Sequence, residues 1–182
     1  LDINKENALA YTNLCYINLG IGKYKEAINY CNNAINIDKD IHTAYLNRCA
    51  IKLSLGDNIG AISDCKKSRD IDSNSEQVYS NICLGQLNIG EIIRAKTNCE
   101  KALEINPKML TAIINLSVIN IEIKNYLKAI YYANKAIEID ENYRLAYINR
   151  GIAKYELRDR EGACLDWYRA YELGSKKVSY LL

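Results

Sequence analysis

The chain has 182 residues, 49% hydrophobic and 25% charged, a composition that can bury a core in one small domain or repeat array. A formal net charge of +2 excludes bulk electrostatic attraction to nucleic acid or to a membrane surface. The most apolar stretch, Ile113 to Ile123, is broken by Asn115, Asn120 and Glu122, so no membrane span is predicted.

In chain order, the opening LDINKEN of residues 1–7 aligns with INIDKDI and LEINPKM further on and predicts the tail of an upstream repeat's second helix. From residue 8 the chain repeats itself. Ala27, Ala61, Ala95, Ala129 and Ala163 recur every 34 residues, and so do Asn13, Asn47, Asn81, Asn115 and Asn149. The predicted repeats are 8–41, 42–75, 76–109, 110–143 and 144–175. Counting each repeat from slot 1, the asparagines hold slot 6 and the alanines slot 20; slot 8 is small throughout (Cys15, Cys49, Cys83, Ser117, Gly151).

Each repeat carries two runs of apolar residues at helical spacing with a break near slot 15. Gly22, Gly56 and Gly90 stand at that break and read as helix stops, while Lys124 and Arg158 depart from the pattern. Small residues at slots 8 and 20 let the two helices approach closely, which predicts an antiparallel pair per repeat and a stacked array. Gly174 stops the last helix, and residues 176–182 predict a cap or a truncated next repeat. Uncapped ends of such an array would expose core-type surface and favour end-to-end self-association.

The period, the small slots and the slot 4 aromatics (Tyr11, Tyr45, Tyr79 and Tyr147, with Ile113 departing) together resemble the tetratricopeptide repeat. The resemblance covers residues 8 to about 173, although only Pro107 supplies the proline usual after the second helix. It implies an all-α, right-handed superhelical solenoid of antiparallel helix pairs. It also implies a non-catalytic protein-protein interaction module whose first helices line a concave groove.

Seven cysteines make an odd number, with no CxxC and a single histidine, His42. That argues against a disulfide framework and a metal site and for the cytoplasm or another reducing compartment. Six of the cysteines fall in two slots: Cys15, Cys49 and Cys83 in slot 8, and Cys31, Cys65 and Cys99 in slot 24. Both slots face the partner helix, so each pair would lie close, and the expectation is free thiols packed as small hydrophobes. Cys164 stands outside the pattern.

Arg48 and Arg150 occupy slot 7, otherwise apolar, in the two repeats that carry aspartate at slot 23, Asp64 and Asp166. Charges that arrive together predict a salt bridge between the two helices of each repeat, since a lone buried charge is costly. Nothing points to catalysis or a cofactor: His42 opens a first helix, no nucleophile–base pair is present, and the GIGK of residues 20–23 reads as a turn.

The slot 6 asparagines remain. Asn is a poor helix former, yet each repeat carries one on its first helix. Their amides offer both donor and acceptor, as a row gripping a peptide backbone requires. The row resembles the asparagine ladder in the repeat domain of O-linked N-acetylglucosamine transferases. The competing expectation is that these amides hydrogen-bond neighbouring first helices. Flanking apolar slots add Leu46, Leu84, Ile114 and Val118 to the candidate peptide site. The carboxylate clamp of chaperone-binding relatives is absent: Asn47 fits its middle element, but Thr12, Tyr16, Gln77 and Asn81 hold the other positions. The alternatives to a free-standing peptide binder are the substrate-recruiting domain of a larger enzyme, such as a glycosyltransferase, and an end-to-end scaffold.

Overall fold

The computed structural model describes residues 3–175, all of whose regular structure is α-helical. The chain divides into two compact units, the first ending at Ile105 and the second beginning at Asn106.

Unit 1 contains three helix pairs: α1 (Ile3–Gly20) with α2 (Tyr24–Ile37), α3 (His42–Ser54) with α4 (Asn58–Ile71), and α5 (Glu76–Asn88) with α6 (Ile92–Ile105). Each second helix also packs on the next first helix, α2 on α3 and α4 on α5, and the first helices neighbour one another, α1 beside α3 and α3 beside α5. Unit 2 repeats the plan with α7 (Leu110–Glu122) and α8 (Tyr126–Ile139), then α9 (Arg144–Glu156) and α10 (Arg160–Glu172). Residues 3–7, expected as the tail of an upstream helix, are the first turns of α1, while Leu1 and Asp2 lie outside the described residues. The expected cap or truncated repeat at 176–182 also lies outside them.

The slot 20 alanines explain how close the pairs sit: Ala27, Ala61, Ala95, Ala129 and Ala163 are all fully buried. A larger side chain there would push the helices of its repeat apart. Seven residues after Ala61, Ser68 stands where the other repeats have Ala34, Ala102, Ala136 and Ala170, and it donates to the backbone carbonyl of His42, 2.9 Å away.

Slot 15 is left-handed in every repeat. Gly22, Gly56 and Gly90 have φ of 75°, 82° and 78°, and Lys124 and Arg158 adopt the same conformation at 58° and 69° despite their side chains. The turn geometry therefore survives loss of the glycine, at a local cost of roughly 1 kcal/mol for each non-glycine residue. Some second helices begin with a side-chain cap: Asp57 accepts from Gly60 N at 2.9 Å and Asp159 from Gly162 N at 2.9 Å.

Candidate protein-interaction surface

The slot 6 asparagines sit midway along the first helices, on α1, α3 and α5 in unit 1 and on α7 and α9 in unit 2. Their surroundings differ. Asn13 is exposed and Asn47 and Asn81 are half-buried, whereas Asn115 and Asn149 are only 9% and 8% exposed. Among the described residues none of the five amides hydrogen-bonds another side chain or the backbone, and Asn149 Nδ2 is fully enclosed without a partner. The bonds between neighbouring first helices that would give them a purely architectural role are not formed. Of the apolar positions beside them, Leu46, Leu84 and Val118 are half-buried and Ile114 is buried.

Each unit also contains an ion cluster between first and second helices. In unit 1 the Arg48 guanidinium donates from Nε and Nη2 to both oxygens of Asp64, at 2.8 and 2.6 Å, joining α3 to α4. Its Nη1 donates to Asn32 Oδ1 on α2 at 2.6 Å, and Lys52 Nζ lies 2.8 Å from Asp64. The guanidinium carbon also sits 5.6 Å from the centre of the Tyr45 ring. Unit 2 reproduces the set 102 residues later: Arg150 donates to Asp166 at 2.9 and 2.6 Å and to Asn134 at 2.7 Å, with Lys154 at 2.8 Å. Both aspartates are buried. Asn32 and Asn134 come from the preceding repeats and Lys52 and Lys154 from the same ones, and none of the four is among the residues predicted from the sequence. Their signal was present, because lysine holds slot 11 only in these two repeats and asparagine holds slot 25 only in the repeats before them.

The cysteines require a correction. Cys15–Cys31, Cys49–Cys65 and Cys83–Cys99 are disulfide-bonded, with Cα–Cα separations of 5.3, 5.4 and 5.3 Å, and all six residues are fully buried. The tight crossing that favours a small hydrophobe at slots 8 and 24 also brings the two α-carbons to disulfide distance. The odd total arises from Cys164, which is exposed and unbonded. Three internal disulfides point to an oxidising environment and overturn the expectation of a reducing compartment. Each closes a loop of 16 residues, worth roughly 3 kcal/mol in the chain-entropy account.

Unit 2 fills slot 8 differently. Ser117 Oγ donates to the Ala129 carbonyl at 2.9 Å. In the last repeat Gly151 leaves the space filled by the buried Trp167 indole, and a Cβ on Gly151 would collide with that ring. At the rim, the Tyr126 hydroxyl donates to Glu156 Oε2 at 3.2 Å; desolvation, then the carboxylate bond, raises its phenol above the ordinary range.

On another side of unit 1, a cavity of about 420 Å³ is lined by Ile59, Ile62, Ser63, Lys66, Ile89, Glu91 and Arg94. Of the isoleucines on the second helices of unit 1, Ile59 and Ile93 are 74% and 85% exposed. Among the described residues no helix is long and apolar enough to cross a membrane.

Comparison with protein families matches the tetratricopeptide repeat at residues 8–41 and 110–143. No curated protein matches the sequence. Among solved structures the chain is similar to MamA, at 22% identity and a TM-score of 0.75 over 97% of each chain. It is similar to PilF of Pseudomonas aeruginosa at 18% identity and a TM-score of 0.83, over 95% of this chain and 79% of that one. Similarity to YrrB, described as a tetratricopeptide repeat protein with an unusual peptide-binding site, has 17% identity and a TM-score of 0.71 over 95% and 89%. The chain has the tetratricopeptide repeat fold.

Proposed function

We propose that the chain is a non-catalytic protein-interaction module that holds an extended segment of a partner against the first-helix face of unit 1. Asn47 and Asn81, with Asn13 beside them, grip the segment's backbone, and Leu46 and Leu84 supply apolar contact. The observation that supports this reading most is the row in unit 1: one accessible amide in each of its three repeats, with no hydrogen bond inside the protein. Helices tolerate such residues at some cost, so an unbonded row calls for an external partner. The proposed site is confined to unit 1; in unit 2 Val118 is half-buried, and Ile114, Asn115 and Asn149 are buried. The peptide-binding site named for YrrB is consistent with a repeat array of this fold carrying such a function.

The test is selection from a random peptide library on the immobilised domain, run beside an Asn47→Ala/Asn81→Ala variant of unchanged helical circular dichroism. Peptides retained by the parent and lost by the variant support the reading; equal capture by both rules it out.

A second reading is self-association through α1, where Leu9, Tyr16 and Ile17 are exposed. It requires a solution mass that rises with concentration, and a constant monomer mass removes it.

A further inference from the structure

We propose that the partner segment held by unit 1 is uncharged along the part that touches α3 and α5. This rests on the reading of that face as the peptide site. In a chain with 25% charged residues, slots 2, 6 and 9 of these two helices hold Thr43, Asn47, Ala50, Gln77, Asn81 and Leu84, and none bears a charge. The same slots on α1 are neutral too.

Of the formal charges on α3 and α5, two are paired with Asp64 and the third stands at the start of α5 beside Gln77. Arg48 and Lys52 both bind Asp64, at 2.6 and 2.8 Å. Glu76 stands at the first residue of α5 and accepts from Gln77 Nε2 at 3.0 Å. A charged side chain laid across Asn47 and Asn81 would therefore lose water without a counter-charge at slots 2, 6 or 9. The amides, in contrast, suit neutral groups: each can donate to a peptide carbonyl and accept from a peptide N–H. Ala50 and Leu84, both half-buried, add apolar surface beside the amides. The Arg48–Lys52–Asp64 cluster, which begins at the residue after Asn47, retains one positive charge, so an intruding carboxylate costs less than an intruding ammonium.

The experiment uses the full chain and a random twelve-residue display library, followed by titration of the strongest binder at about 50 and about 500 mM NaCl. The expected binders have cores without Asp, Glu, Lys or Arg, and their affinity changes less than about twofold across that salt range. Replacing a central residue of the binder by Lys weakens binding by about tenfold or more, and by Glu somewhat less. All binding is lost in Asn47→Ala/Asn81→Ala and kept in Ile59→Ser/Ile93→Ser. Charged cores that depend on the asparagines would overturn the neutral-segment inference while leaving the site intact. Neutral cores that bind the asparagine variant as well as the parent, or capture of no peptide, would remove the site and the inference together.

Discussion

Units 1 and 2 fold the same 34-residue plan and lock it by different chemistry. In unit 1 the crossing of each pair is closed by a disulfide, three times over. In unit 2 slot 8 holds a serine bonded to the slot 20 carbonyl and then a glycine beneath the slot 24 indole. The slots thus specify volume and proximity, and several chemistries satisfy them. The asparagine row differs between units as well. Its members are accessible in unit 1 and buried in unit 2, so one residue at one slot has two environments.

The largest expected effect follows from the lock. Full reduction of the three disulfides removes about 9 kcal/mol if their contributions add, which is comparable with the whole stability of a domain. Hydrogen exchange read helix by helix in excess dithiol should therefore show α1 to α6 losing protection while α7 to α10 keep theirs. Uniform loss, or none, would erase the contrast between the units. Without reductant, alkylation should label one thiol, Cys164.

Next come the ion clusters, which the two units share. Asp64→Ala and Asp166→Ala should each cost about 3 kcal/mol by leaving an arginine and a lysine without their carboxylate. Chemical denaturation monitored separately in the two units would show similar losses; a negligible effect in either would show that its cluster is ornamental.

Gly151→Ala is smaller in chemistry but unforgiving in space. It should destabilise α9 and α10 by about 2 kcal/mol through the clash with Trp167. Cys49→Ala/Cys65→Ala in unit 1 should create no such clash and act only through the lost bond. Smallest, and opposite in sign, Lys124→Gly and Arg158→Gly should stabilise unit 2 by up to about 1 kcal/mol each by relieving their left-handed backbone. A fall in melting temperature would show that those side chains contribute more than the strain removes.

Which of these features were legible in the sequence depended on whether they recur at a fixed offset within one repeat. The helix pairs, the slot 20 alanines and the turn at slot 15 do so, and the period exposes them. Arg48 and Asp64 also stand at a fixed offset, and the structure brings them together. Asn32 reaches Arg48 from the preceding repeat, beyond a slot-by-slot comparison confined to one repeat. The thiols were misread because spacing reports that two sulfurs are near and does not report their oxidation state. The different burial of Asn47 and Asn149 was out of reach for another reason: the exposure of a helix face is set by neighbouring helices, while the slot itself is the same.

The most direct measurement is side-chain amide NMR of the asparagines during titration with a selected peptide. The account predicts that the amide resonances of Asn13, Asn47 and Asn81 shift and saturate with binding, while signals of Ile59 and Ile93 stay still. Saturable binding with those three amides unmoved and the isoleucines shifted would contradict it and place the partner on the other side of unit 1.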